Sequence, residues 1–271
     1  MPRRSQLYVP GNNENMITKA SALDADSIIL DLEDAVPAGE KARARGIVAR
    51  LSKELDWGKR ELCVRLNAVG TPEHAEDVSS IKRIERVDTI LVPKAEGDCS
   101  QVGKRSGKKL LPIVETAKGL MKLDELARSK GVVALTYGAG DYASSVGGSV
   151  EAYLNNQTVK TFIVAAAGAY GLEAVDNVYF DLENLEGFRA EAAAARSLGF
   201  TGKQVVHPSQ IPIANRVFSP TEAEVAWAQK VLRALEVAGA DKRGAIRVDG
   251  KLVDAVHHRL AKGILERSAR P

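Results

Sequence analysis

Residues 26–37 read DSIILDLEDAVP. Residues 27–30 form a short apolar run, as a parallel strand buried on both faces requires, and three carboxylates, Asp31, Glu33 and Asp34, follow at once. The same shape recurs along the chain. Residues 6–9, 62–66, 89–92, 110–114, 132–137, 177–180 and 204–206 are further apolar runs, which brings the predicted strands to eight. Between them lie segments of helical character. Residues 116–129 place Leu120, Leu123 and Ala127 on one face, and residues 185–197 are rich in alanine. Thr71-Pro72 and Ser219-Pro220 each put a capping side chain before a proline at the first helical position, and Ser219 with Glu222 has capping-box spacing. Eight strands alternating with helices predict a (β/α)8 TIM barrel over residues 1–219. An open doubly wound sheet is the alternative.

Residues 220–271 read as a C-terminal helical lid extension of the same domain. A helix carries Val225, Ala228, Leu232 and Leu235, a turn-rich stretch with a short strand covers residues 239–250, and a last helix starts near Val253.

Composition narrows the class of activity. The 271 residues are 45% hydrophobic and 27% charged, with 38 Lys and Arg against 35 Asp and Glu, a net charge of +3. Mixed signs and 5% aromatic content argue against a nucleic-acid surface or a base-stacking platform. No run of about 18 apolar residues is present to span a bilayer. Cys63 and Cys99 are too few for a disulfide scaffold or a four-thiolate zinc site, and the start MPRRSQLYVPGNN has no long apolar core of a signal peptide. The expectation is a cytoplasmic protein with both cysteines reduced and packed.

In a barrel, chemistry gathers where strands end at the C-terminal face. The residues predicted there are polar: Asp31, Glu33 and Asp34, then Arg65 and Asn67, Lys94 and Glu96, Glu115, Asp141, Asp181 and His207. Carboxylates converging on one mouth raise each other's pKa unless a cation lies between them. Glu115 and Asp141 are hard oxygen ligands on consecutive strands, suited to magnesium or manganese more than zinc. The four histidines, His74, His207, His257 and His258, show no zinc-ligand spacing. His207 precedes a proline and reads as a loop anchor; His257 and His258 read as surface positions on the last helix. Arg65, in VRLN, offers a planar fork for a carboxylate or an oxyanion, and it is equally placed for a salt bridge to Glu33 or Asp34. No GxxxxGK[ST], GxGxxG or GxSxG motif appears, so the corresponding nucleotide sites and serine nucleophile are not supported.

Ten stretches carry a family resemblance. In order they are SQLYVPGNNENM, DSIILDLEDAVP with EKARAR, VRLNAVGTP, ILVPKAE, LPIVETAKG, YGAGDYASSVGG, VDNVYFDLENLEGFRAEA, LGFTGKQVVHPSQI, VFSPTEAEVAWAQKVL and DGKLVDAV. Together they resemble the citrate lyase beta-subunit-like family of the HpcH/HpaI aldolase superfamily, whose relatives include malyl-CoA and citramalyl-CoA lyases. The resemblance implies a metal-dependent carbon-carbon lyase that cleaves or forms a 3-hydroxyacyl thioester, yielding acetyl-CoA or an acetyl thioester and a 2-oxo acid. It also implies Mg2+, with Mn2+ as a substitute, and a homotrimer or dimer of trimers. Glu115 and Asp141 match the metal ligands and Arg65 the substrate-binding arginine. Asp34 lies in the acidic second-strand motif. Tyr8, Lys19, Gln204 and Val205 match positions that contact the CoA thioester. Asp254 matches a C-terminal acid that reaches a neighbouring subunit's site. Two positions depart from the pattern: Gly140 stands where many members have glutamate, and Val256 where many have proline. An aldolase acting on free 2-keto acids, a citryl lyase component using an acyl-carrier thioester, and a non-catalytic ligand-binding barrel are the competing readings.

Overall fold

The computed structural model describes residues 3–240 and 244–269. Eight parallel strands close into a barrel in sequence order: β1 (Ser5–Pro10), β2 (Ser27–Asp31), β3 (Glu61–Arg65), β4 (Thr89–Val92), β5 (Lys109–Val114), β6 (Ala134–Tyr137), β7 (Glu173–Asp176) and β8 (Gly202–Val205). Strand β8 pairs with β1 to complete the ring, as Gln6 meets Gln204. Strands β2, β4, β5 and β6 read as largely apolar runs because both faces are covered. Along β2, Ile28 and Leu30 join the core between barrel and helices, while Ile29 points inward to Cys63, Leu91, Leu111, Ile113 and Ala134. The alternation has the period of two that a pleated strand imposes.

One strand differs from the expectation. Residues 177–180 are the loop after β7, not the strand itself, which is the four-residue segment Glu173–Asp176. Two acids hide it in the sequence, and tertiary partners neutralise both. Glu173 pairs with Arg3, which also holds Glu61 (Nε–Oε2 2.8 Å). Asp176 is fully buried between Lys160 (2.8 Å) and Lys203 (2.7 Å), and Lys203 also reaches Glu191 at 2.6 Å. This network ties β7 and β8 to the helices Gln157–Ala169 and Leu185–Leu198. The apolar residues after the strand belong to the barrel mouth, where Phe180 is 54% exposed.

The chain resolves into two compact units, residues 3–218 and residues from 219 onward. The second unit holds the helix Glu222–Ala240, a hairpin of β9 (Ile246–Val248) and β10 (Lys251–Val253), and the helix Ala255–Ser268. Ala228, Val231, Val248, Val253 and Ala261 form its own core. Asp249 and Gly250 both take positive φ, 48° and 78°, as a two-residue hairpin turn matching strand twist requires. Part of the turn-rich stretch predicted over residues 239–250 lies outside the described residues.

Two local expectations are corrected. The capping box before the helix Glu222–Ala240 is built by Thr221 and Glu224, not Ser219 and Glu222: Thr221 N donates to Glu224 Oε2 (2.7 Å) and Glu224 N to Thr221 Oγ1 (3.2 Å). The predicted spacing was correct but two residues early. His257 is half-buried instead of lying on the surface. Its ring meets Trp227 edge-on, and its Nδ1 lies 2.9 Å from Asp254 Oδ1, completing the cap of the last helix. His258 is exposed, as expected. No described helix is long and apolar enough to cross a membrane.

Candidate active site

Asp31 and Arg65 are the last residues of neighbouring strands and sit opposite each other in register. Their side chains therefore leave the barrel side by side. Arg65 Nε donates to Asp31 Oδ1 (2.7 Å) and Nη2 to Oδ2 (2.6 Å), a two-pronged, charge-assisted contact. Asp31 also accepts the amides of Glu33 (2.8 Å) and Ala35 (3.1 Å), so one carboxylate holds both the arginine and the loop that follows β2. Lys41 pins that loop from outside by donating to the carbonyls of Leu32 (2.7 Å) and Glu33 (2.6 Å).

The other edge of the guanidinium lies 2.9 Å from Glu33 and 3.6 Å from Asp34, and Tyr8 lies beneath it, 5.0 Å from ring centroid to Cζ. Of the two salt-bridge partners anticipated for Arg65, Glu33 makes the close contact. Asp31 makes the closest contacts of all. Burial disfavours the charge on Arg65, but the carboxylates of Asp31 and Glu33 outweigh it and hold its pKa above the ordinary value. Burial pushes the Tyr8 hydroxyl upward, so that group is protonated.

Glu115 follows β5 directly and is 3% exposed. Its Oε1 accepts the amide of Lys94 at 2.6 Å. Its other oxygen abuts Gly138: a Cβ there would fall 2.5 Å from Oε2 and 2.6 Å from the Glu115 Cβ. Only glycine leaves room for that carboxylate. Burial first, then the neighbouring carboxylates Glu33 and Asp141, push the Glu115 pKa up to about 8, against the opposing Lys94 amide. Asp141 sits in the first turn of the helix Ala139–Val146, where the positive helix end favours a carboxylate. Lys94 spans the acidic residues, with Nζ 2.6 Å from Glu33, 3.8 Å from Asp34 and 4.0 Å from Asp141.

These groups surround a cavity of about 400 Å³ that Tyr8, Asp34, Arg65, Glu115, Asp141 and Gln204 all line. A larger groove of about 650 Å³ lies between the helices Lys41–Glu54 and Pro72–Ile81, but no buried carboxylate points into it. The mouth is the candidate site because the titratable groups converge there. Among the described residues, no three or more His, Cys, Asp or Glu side chains form a ready metal cage. Two carboxylates facing one cavity are nonetheless the usual protein share of a magnesium site, the remaining octahedral positions going to water and substrate. The donor set fits that ion.

Of the sequence-predicted residues, Tyr8, Asp34, Arg65, Glu115, Asp141 and Gln204 share the cavity. Val205 is buried within β8 and paired with Leu7 of β1. Lys19 is exposed in the last turn of the helix Glu14–Ala20. Asp254 belongs to the second unit, where it caps the helix Ala255–Ser268. Its interactions with His257 and the Val256 amide hold its pKa below the usual carboxylate value. His207 anchors its loop as expected, with Nδ1 2.8 Å from Ser209 Oγ. Gly140 leaves space: a Cβ there would make an ordinary 3.8 Å contact with Phe180.

Sequence reasoning leaves Asp31 and Lys94 at strand ends without a role and gives Glu33 only that of a salt-bridge partner for Arg65. It gives no role to Lys41 or Phe180. The one available signal is that Asp31 directly follows one apolar run and Arg65 lies near the end of the next, which pairs them.

The sequence profile of the HpcH/HpaI aldolase/citrate lyase family matches residues 4–208. A (3S)-malyl-CoA thioesterase of Cereibacter sphaeroides is 36% identical over 94% of this chain and 91% of its own. An L-malyl-CoA/beta-methylmalyl-CoA lyase of Rhodobacter capsulatus is 34% identical over 98% and 94%. Among solved structures, CitE of Mycobacterium tuberculosis in complex with magnesium, acetoacetate and coenzyme A superimposes with a TM-score of 0.82 at 32% identity, covering 99% of this chain and 98% of that one. With the profile spanning most of the barrel and the identity extending over nearly the whole length, the chain belongs to the HpcH/HpaI aldolase/citrate lyase family.

Proposed function

We propose that the protein is a magnesium-dependent carbon-carbon lyase acting on a 3-hydroxyacyl-CoA thioester of the malyl, citramalyl or citryl type. The observation that carries this reading is the placement of Glu115, Asp141 and the Asp31-locked Arg65 around one cavity. The similarity to malyl-CoA lyase and to magnesium- and CoA-bound CitE supports the substrate class. Glu115 and Asp141 would hold the ion, magnesium or manganese, which when bound lowers the pKa of a coordinated hydroxyl and orients the scissile bond.

The residues do the rest. Asp34, exposed at the rim, accepts the proton of the substrate hydroxyl. The bond between the hydroxyl-bearing carbon and the thioester α-carbon breaks, the hydroxyl oxygen becomes the carbonyl of the 2-oxo acid, and the electron pair passes to the thioester enolate. Arg65 faces the enolate oxygen with the N–H groups that Asp31 and Glu33 leave free. Because Asp31 already fixes its plane, little reorganisation accompanies the step. Tyr8, Lys19, Gln204 and the Val205 backbone contact the thioester. A proton then reaches the α-carbon to give the acetyl thioester; on the resemblance, Asp254 of a neighbouring copy in a homotrimer or dimer of trimers delivers it.

The test is to incubate the protein and Mg2+ with malyl-CoA, citramalyl-CoA and citryl-CoA in parallel and identify products by mass. Acetyl-CoA plus a 2-oxo acid supports the lyase. Free CoA plus the intact hydroxy acid supports a second reading, thioester hydrolysis at the same site, which the similarity to (3S)-malyl-CoA thioesterase favours. No turnover of any thioester, with cleavage of free 2-keto acid aldols instead, overturns both.

A further inference from the structure

Lys94 is one of two non-glycine residues with positive φ among the described residues, at 48°. The other, Asp249, sits in the hairpin turn, where that conformation is required. At Lys94 it has a different consequence. Left-handed backbone at a non-glycine position is uncommon and persists only where the surroundings impose it. Here it turns the backbone amide onto Glu115 Oε1 (2.6 Å) while the side chain runs the other way to Glu33 (2.6 Å). One residue thereby holds one proposed ligand through its main chain and places an ammonium 4.0 Å from the other, Asp141. The same ammonium lies 3.8 Å from Asp34, and Glu33, its closest partner, is 5% exposed.

A divalent cation held by Glu115 and Asp141 therefore comes close to a fixed positive charge, and like charges in a partly buried site repel strongly. Lysine suits such a position because its ammonium is a compact point charge, held here by Glu33 at 2.6 Å. We propose that Lys94 is the resident counter-cation of the carboxylate cluster and a positioning residue for Glu115, and that its charge sets how weakly the site holds its divalent ion. The inference rests on the metal reading of the site given above. It goes further in assigning to this lysine an opposing contribution that keeps the ion exchangeable.

The experiment is isothermal titration of the intact protein with MgCl2 without substrate, comparing wild type with Lys94→Met, Lys94→Arg and Glu115→Gln. Lys94→Met keeps the amide and removes the charge, so it should bind the ion at least about tenfold tighter. The rise in melting temperature caused by Mg2+ should be correspondingly larger. Lys94→Arg should stay close to wild type, and Glu115→Gln should lose binding. If Lys94→Met does not fold, Lys94→Gln provides the same reading. Unchanged or weaker affinity in the charge-removing variant, with normal binding in wild type, overturns the role of Lys94 and leaves the metal reading standing. A wild-type protein that binds no divalent ion overturns the metal reading and this inference with it.

Discussion

The carboxylate of Asp31 grips the guanidinium of Arg65 by two bonds of 2.7 and 2.6 Å across strands that end at the same register. Asp31 is 1% exposed and binds two amides besides, so the orientation of Arg65 is set by the barrel itself and not by the substrate.

Asp31→Asn keeps the shape of that residue but turns one acceptor into a donor facing Arg65. Thioester cleavage should fall by about a hundredfold in kcat, the usual scale for losing one preorganised oxyanion donor. Breaking a buried ion pair should also cost on the order of 3 kcal/mol of stability. Steady-state kinetics and urea unfolding check the two effects; a near-normal kcat would mean that Arg65 needs no such clamp.

Gly138→Ala tests the fit around Glu115. The added Cβ would lie 2.5 Å from the carboxylate oxygen, so Glu115 must move. Magnesium affinity measured by calorimetry should drop at least about tenfold, while the circular dichroism spectrum stays that of a folded barrel. Wild-type affinity in this variant would remove Glu115 from the ligand set.

The raised pKa of Glu115 makes the metal-free protein pH-sensitive. Its carboxyl moves from 4.5 to about 8 on burial, so between those values the folded state keeps a proton that the unfolded state has released. Stability therefore falls as pH rises through that window. Glu115→Gln is neutral throughout. In chelator, it should be more stable than wild type by a few kcal/mol at about pH 8, with the gap closing below about pH 4.5. Thermal melts across that range decide; a gap independent of pH would show that Glu115 is ionised in the folded state.

Lys203→Met probes the network that made β7 hard to read. It leaves Asp176 with Lys160 alone and Glu191 without its 2.6 Å partner. The expected loss is about 3–5 kcal/mol, as for other broken buried pairs. A change under about 1 kcal/mol in denaturant unfolding would mean that the network reorganises freely.

Seven of the eight strands were legible, most of them because apolar runs buried on both faces stand out, whereas of β8 only Gln204 and Val205 fell within the predicted run. Strand β7 was not, because Glu173 and Asp176 are neutralised by Arg3, Lys160 and Lys203 from other parts of the chain, and a residue's neighbours in space do not show in its neighbours in sequence. Thr221 and Glu224 show the local counterpart: the capping spacing was readable, but its starting residue depended on where Pro220 let the helix begin.

The site divides the same way. Glu115 directly follows an apolar run, Asp141 comes four residues after another and Arg65 lies near the end of a third, and barrel geometry carries strand ends to one mouth. The choice of Asp31 over Asp34 as the partner of Arg65 came from strand register. The double contact of Lys94 came from a left-handed backbone that no side chain in its neighbourhood announces. Fold class and the chemical types at the mouth follow from local composition and periodicity, since hydrophobic burial acts on every residue of a run at once. Which charges pair, which carboxylate carries a raised pKa and which cation faces the metal position depend on distances of 2.6–4.0 Å between residues up to 61 positions apart, and only the closed barrel sets those.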